Sequence, residues 1–239
     1  MDTYTRHQLK QDKFVNAAAS SVGWMEENRT RVAILAIIAI VLIGAAIGGF
    51  AIYSSRSESA SIAFGAALKT YESQIRPQNA PNDPTTESYL STQERAQAAN
   101  KQFLAVADKY SMTPDGRNAR YYAGVTYAEL GKNAEAESTL KQVASGYSKD
   151  VAALAKLALV SLYHSTARDP QAISLCNDLI AHPTTTVPAS LARLQLASIY
   201  EASGNLAEAR KIWAQVKDAD KTGAAGEIAS EKLSGKSAN

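Results

Sequence analysis

The stretch YAELGKNAEAESTLKQV at residues 127–143 returns in altered form as YHSTARDPQAISLCNDL at 163–179 and YEASGNLAEARKIWAQV at 200–216. The opening tyrosines Tyr127, Tyr163 and Tyr200 are separated by 36 and 37 residues, and Ala136, Ala172 and Ala209 keep the same steps. Leu140, Cys176 and Trp213 follow those alanines by four residues, and Val143, Leu179 and Val216 follow them by seven, so the second half of each copy has one apolar helical face. Gly131, Ala167 and Gly204 sit four residues after each tyrosine, where a tight helix-to-helix turn needs a small residue or a positive φ. Each copy therefore reads as helix, short turn, helix. The predicted pairs are Asn118 to Leu130 with Ala134 to Gly146, Val151 to Thr166 with Pro170 to Ala181, and Pro188 to Ser203 with Leu206 to Asp218.

Working outward, Ala99, Phe103 and Val106 continue the register toward the N-terminus. Ser91 with Glu94 makes a capping box for a helix from Thr92 to Lys109. Asn133, Asp169 and Asn205 are read as N-caps, Asp169 with a proline behind it. Pro77, Pro81 and Pro84 exclude an ordinary helix just before residue 90. The expected substitute is a helix from Ser57 to Ile75 with Phe64, Leu68, Tyr71 and Ile75 on one stripe, followed by an exposed loop at 76–90. Gly223 to Leu233 reads as a short helix closing the last pair, as stacked repeats require.

Val32 to Tyr53 holds 22 residues without a charge: twelve large apolar, six Ala, three Gly and Tyr53. At 1.5 Å per residue this is roughly 33 Å of helix, enough for a hydrocarbon core of about 30 Å. Its Val, Ile, Leu and Phe residues contribute about −0.3 to −0.6 kcal/mol each to insertion. Gly49-Phe50-Ala51 loosely resembles a signal cleavage site, but the 31-residue leader and the length of the apolar run favour an uncleaved anchor. The leader carries Arg6, Lys10, Lys13, Arg29 and Arg31, which places it in the cytoplasm and residues 54–239 outside. Val15, Ala18, Val22 and Met25 recur at helical spacing, so the leader reads either as an amphipathic helix on the inner surface or as a tail. Within the span, Gly44 and Gly48 form a G-x-x-x-G pair that would let a second helix approach.

Composition narrows the function. Forty-four of 239 residues are alanine, which favours close-packed helices, and a net charge of +2 removes the electrostatic footprint of a nucleic-acid binder. One cysteine, Cys176, and three histidines supply no metal framework, and no phosphate-cradling loop or nucleophile elbow is present. Ser161, His164 and Asp169 lie close in sequence, but two neighbours on one helix face without an oxyanion donor do not make a hydrolase. Cys176 takes a core position and reads as an inert thiol. We expect no enzyme, no cofactor, no metal and no small-molecule substrate.

The repeated units resemble the tetratricopeptide repeat, most clearly in YAELGKNAEAESTLKQV and YEASGNLAEARKIWAQV. They depart from it at Arg120, Lys156 and Arg193, where that family places a Trp, and in a period slightly over 34. Pentatricopeptide repeats have a similar period but usually bind RNA, which the near-neutral charge opposes. The whole layout resembles the ancillary SecYEG translocon subunit family. That likeness implies an all-α protein: an N-terminal transmembrane helix, then a tetratricopeptide-like α-solenoid of helical hairpins. The divisions are a cytoplasmic leader 1–31, a signal anchor 32–53, a first helix and Pro-rich loop 54–91, and repeats over 92–239. The repeats divide as 92–116 (partial), 117–150, 153–186 and 190–220, with a C-terminal capping helix. The resemblance also implies a single-pass protein of the bacterial inner membrane, its repeat domain periplasmic, meeting translocon subunits, chaperones or exported polypeptides.

In such a stack the first helix of each pair lines a groove. In the first pair the groove positions include Asn118, Tyr121, Val125 and Glu129. Ala128 belongs with them; Leu154, Leu157, Ser161, His164 and Ser165 stand there in the second pair, and Leu191, Leu194, Ser198, Glu201 and Ala202 in the third. Tyr121, Leu157 and Leu194 form an apolar strip rimmed by Glu129, His164 and Glu201, suited to a hydrophobic segment with few acids; the alternative is that the Ser57 to Ile75 helix or the loop at 76–90 partly covers it. The other reading makes the chain a scaffold acting through its membrane helix. A reporter active only after export, fused behind Leu233, is expected to be active. A cytoplasm-only reporter that fluoresces at the same site would invert the topology.

Overall fold

The computed structural model describes residues 28–79 and 87–235, and the leader helix read at Val15 to Met25 lies outside them. Among the described residues there are nine α-helices and two strands of two residues each. The chain divides into two units, Met1–Ser55 and Arg56–Asn239, and helix α1 (Arg29–Tyr71) contributes to both.

In the first unit α1 carries the apolar run. It is long and apolar enough to cross a membrane, and none of its most apolar window is buried within the chain. Ile40, Leu42, Ile47 and Phe50 are all exposed, and a Cβ added at Gly44 or Gly48 would meet nothing within 4 Å.

The second unit begins with the rest of α1. It continues through β1 (Gln74–Ile75), β2 (Ser88–Tyr89), α2 (Thr92–Lys109), α3 (Pro114–Glu129), α4 (Asn133–Ala144) and α5 (Lys149–Ser165). Helices α6 (Asp169–Ala181), α7 (Ala189–Ala202), α8 (Leu206–Ala219) and α9 (Ala224–Ser234) complete it. From α2 onward each helix packs mainly on its neighbours in sequence.

The three reversals α3/α4, α5/α6 and α7/α8 are the same turn. In each the N–H of the turn residue bonds the carbonyl three residues back: Gly131 to Ala128, Ala167 to His164 and Gly204 to Glu201, at 3.0–3.1 Å. The next N–H reaches five residues back to the repeat tyrosine's carbonyl: Lys132 to Tyr127 (2.9 Å), Arg168 to Tyr163 (2.7 Å) and Asn205 to Tyr200 (2.8 Å). These are the two bonds of a Schellman motif, and they need a left-handed residue between them. Gly131, Ala167 and Gly204 supply it with φ of 70°, 57° and 77°.

The same turn corrects two caps. Asn133 and Asp169 were expected to cap α4 and α6, but the N-caps are Lys132 and Arg168, neither with a side-chain cap bond. The residue that closes the Schellman motif is already the N-cap of the next helix, one position earlier than the reading placed it. In the third copy that position holds Asn205, whose side chain accepts the Glu208 N–H.

Behind each turn the helices meet through small side chains. Ala136, Ala172 and Ala209 are wholly buried, as are Leu140 and Cys176, with Trp213 at 3% exposure. At α3/α4 the approach is close enough that a Cβ on Gly124 would stand 2.7 Å from the Leu140 side chain. A second cluster forms where the part of α1 after Arg56 meets α2 and α3. Ala60 and Ala67 are buried there, and Phe64, Tyr71, Phe103 and Tyr122 pack with ring centroids 5.1–6.0 Å apart. Within the same unit Asn100 is buried and donates to the Ala123 carbonyl and the Thr126 hydroxyl, tying α2 to α3.

Three further boundaries differ from expectation. Helix α3 starts at Pro114 because the Thr113 hydroxyl accepts the Gly116 N–H and proline fits the first turn, which puts the start inside the partial repeat read as 92–116. Helix α1 ends at Tyr71, so Ile75 leaves the predicted stripe and sits half-exposed in β1. The expected loop at 76–90 is not wholly loop: Ser88 and Tyr89 pair in parallel with Gln74 and Ile75.

A left-handed alanine costs more than a left-handed glycine, whereas glycine loses more chain entropy on folding. Ala167→Gly is therefore expected to raise stability by up to about 1 kcal/mol, and Gly204→Ala to lower it by a similar amount. Denaturant unfolding of both variants checks this; equal and opposite signs are the expected result.

Candidate partner groove

Helices α3, α4 and α5 enclose an open cavity of about 430 Å³. Tyr121, Val125 and Ala128 face it from α3, Leu140 from α4, and Leu154, Leu157 and Leu162 from α5. Glu129, Asn133, Ser161, Ser165 and Gln195 supply its polar edge, and Glu129 is the charged residue among them. An opening of this size with mostly apolar walls suits a few apolar side chains of an extended or helical segment.

The cavity gathers Tyr121, Val125, Ala128, Glu129, Leu154, Leu157, Ser161 and Ser165 of the expected groove residues. Tyr121 sets its edge against Tyr122, centroids 5.2 Å apart, and burial, then the neighbouring Tyr122, pushes its phenol above the ordinary value. Asn118 is half-buried on α3 and is not on the cavity wall. The expected residues of the third pair do not join, although Gln195 of α7 does: Leu194 packs against the core, and the Ser198 hydroxyl donates to the Leu194 carbonyl. Glu201 accepts Lys232 Nζ at 2.8 Å. His164 is also elsewhere, its Nδ1 2.7 Å from Asp169 Oδ1, while Asp169 Oδ2 accepts the Ser203 hydroxyl at 3.0 Å. That pairing holds the Asp169 carboxyl below its usual range, His164 being the larger cause. Gly44 and Gly48 lie in the first unit and are described there.

Asn133, Leu140, Ala158, Leu162 and Gln195 are wall residues outside the groove positions read from the sequence. On α5 the signal was available: 154, 157, 158, 161, 162 and 165 recur at the helical period, and the wall is that whole stripe. Leu140 was assigned to the core; it is both fully buried within the chain and the floor of the opening. Cys176, at a core position one hairpin on, is likewise buried, and burial pushes its thiol up to about 12.

The end of α1 reaches one edge of the cavity. The Tyr71 hydroxyl donates to Glu129 Oε1 at 2.5 Å, and among the described residues no part of α1 stands on the cavity wall. The hairpins that form the walls are clasped by Glu137 on α4. Its Oε1 accepts Lys141 Nζ at 2.7 Å and the Tyr163 hydroxyl at 3.1 Å, and its Oε2 accepts Arg168 Nη1 at 2.8 Å. Arg168 also lies over the Tyr163 ring at 4.4 Å.

The Lys141 and Arg168 bonds hold the Glu137 carboxyl down at about 2, against an ordinary value near 4.5. A depressed carboxyl stabilises the fold above its unfolded pKa and loses that contribution as pH falls through the folded one. Glu137→Gln is thus expected to be less stable than the parent at pH 7, with the difference closing between about pH 4.5 and about 2. Denaturant midpoints measured across that range test it, and a constant difference would remove the clasp. Set beside protein-family models, curated proteins and solved structures, the chain matches none of them.

Proposed function

We propose that the chain is a membrane-anchored interaction module whose helical hairpins, stacked in the tetratricopeptide manner, hold an apolar segment of a protein partner. The observation that carries this reading is the cavity of about 430 Å³ between α3, α4 and α5, walled by Tyr121, Leu154 and Leu157 and edged by a single acid, Glu129. An opening lined this way favours a segment of apolar residues and disfavours an acidic one. The three equivalent turns and the wholly buried alanines behind them support the repeat reading.

The apolar first unit supports a membrane anchor; the basic leader is the basis for reading the N-terminus as cytoplasmic and the repeat domain as periplasmic, in the bacterial inner membrane. In that setting the module serves as an accessory subunit of the protein-export translocon, meeting chaperones or emerging polypeptides. The alternative is a scaffold of another envelope complex that acts through its membrane helix, where Gly44 and Gly48 leave a face open to close approach.

Site-specific cross-linking of the full-length chain in native membranes separates the two. Tyr121→Ala combined with Leu157→Ala is expected to cut cross-links from the repeat domain to soluble partners about tenfold or more while leaving those from the membrane helix intact. Gly44→Leu with Gly48→Leu is expected to do the reverse. Soluble cross-links that survive the first pair and vanish with the second would favour the scaffold.

A further inference from the structure

A second opening lies at the joint between the start of α3, the end of α4 and the start of α5, and its chemistry is opposite to that of the groove. It is a cavity of about 190 Å³, into which Arg117 and Arg120 face beside Tyr147, Ser148, Val143 and Val151. Among the described residues no acid pairs with Arg117. Its Nη1 donates to the Met112 carbonyl at 3.3 Å and to the Tyr147 hydroxyl, and its Nε is buried with no hydrogen-bond partner. A guanidinium that spends its donors on neutral oxygens and leaves one unused has capacity for an anion.

Arg120 is better satisfied. Asp108 Oδ1 accepts its Nη2 at 2.9 Å, and Gln142 and the Ala107 carbonyl take the other bonds. Asp108 is 71% exposed against 26% for Arg120, so the acid is the solvated partner of this pair and the one a competing acid would displace. Ser148 is the N-cap of α5 and its side chain does not cap the helix, so the positive end of a 17-residue helix also borders the cavity. Asp150, the acid in that first turn, is not on the wall.

The surroundings select the kind of anion. Tyr147 on the wall and Met112, next to the wall residue Ser111, are 77% and 78% exposed, higher than any large apolar side chain in the anchor, and so offer apolar surface beside the opening. Val143 and Val151 form the apolar part of the wall. Such a half-apolar pocket penalises a phosphate dianion more than a singly charged group that brings hydrocarbon with it. We propose that this cavity takes a carboxylate on a short apolar stem, presented by a polypeptide partner as a glutamate side chain or a C-terminal residue, with Arg117 as its main contact and Met112 and Tyr147 covering the flanking residues. The two sources share one chemistry. This acid-reading site is separate from the apolar groove and stands or falls independently of it.

The test is fluorescence anisotropy on the full-length chain in lipid nanodiscs, using three short dye-labelled peptides. One has a central Leu-Glu-Leu and an amidated C-terminus, the second replaces Glu by Gln, and the third keeps Gln but has a free C-terminal carboxylate. The Glu peptide is expected to bind about ten- to hundredfold more tightly than the Gln peptide, the range of a charge-assisted hydrogen bond. Tighter binding of the third peptide instead would assign the site to chain termini. Arg117→Gln should abolish the preference, and Arg117→Lys should weaken it by losing the fork. Arg120→Gln carries the same reading should Arg117→Gln not fold. Equal binding of all three peptides, no binding of any, or saturable binding of inorganic phosphate alone would each overturn the proposal.

Discussion

The reversals within the three helical pairs, α3/α4, α5/α6 and α7/α8, each rest on one pair of backbone hydrogen bonds around a left-handed residue. The bond from Lys132, Arg168 or Asn205 back to the tyrosine carbonyl ends one helix and at once begins the next, since the same residue is the following N-cap. There is no slack in such a connection. It fixes the angle at which the second helix leaves, and that angle brings Ala136, Ala172 and Ala209 against the preceding helix at zero exposure. A larger side chain at those alanines would push the helices apart and cost about 1 to 3 kcal/mol. The turn therefore comes first, and the alanine column is its consequence.

The groove follows from the same constraint. Close approach behind the turn draws α4 against α3 at Gly124 and Leu140, while bulkier residues on the other side of α3 and α5, Tyr121, Leu154 and Leu157, hold the walls apart. Glu137 then locks the two hairpins together through Tyr163 and Arg168. The clasp is local to this joint: the residue equivalent to Glu137 is Ile173 in the second copy and Arg210 in the third. Leu194 accordingly stays with the core rather than with the opening.

How much of this was legible depends on the range of the interaction concerned. The turn column was readable because only a small residue tolerates positive φ, and the spacing of 131, 167 and 204 repeats that demand. Helix α2 was readable from Ser91 and Glu94. The Ser91 side chain does accept the Glu94 N–H, although the Glu94 carboxylate reaches back to the Leu90 N–H rather than to that of Ser91 itself. What failed involved partners distant in the chain or a shift of one residue. Glu201 looked like a groove rim until Lys232, 31 residues on, took its carboxylate. Two-residue strands such as β1 and β2 carry no periodicity to detect, and Asn133 and Asp169 were one position late because cap and turn share a residue.

The partial repeat built on α2 shows what a repeat does when its leading helix is missing. Proline-rich sequence before residue 90 leaves α2 without an upstream partner of the ordinary kind. The part of α1 after Arg56 fills the place with aromatic rings rather than with the tyrosine column: Phe64 and Tyr71 pack on Phe103 and Tyr122, and Arg56 donates to the Lys109 carbonyl at 2.9 Å. The substitution has a consequence for the groove. Tyr71 belongs both to this ring cluster and to the hydrogen bond that holds Glu129, so the single acid on the cavity wall is positioned by a residue from outside the repeats. An apolar opening with a fixed acid at one edge discriminates by repulsion as well as by fit, because an acidic segment would have to bring a second negative charge beside one that cannot move away.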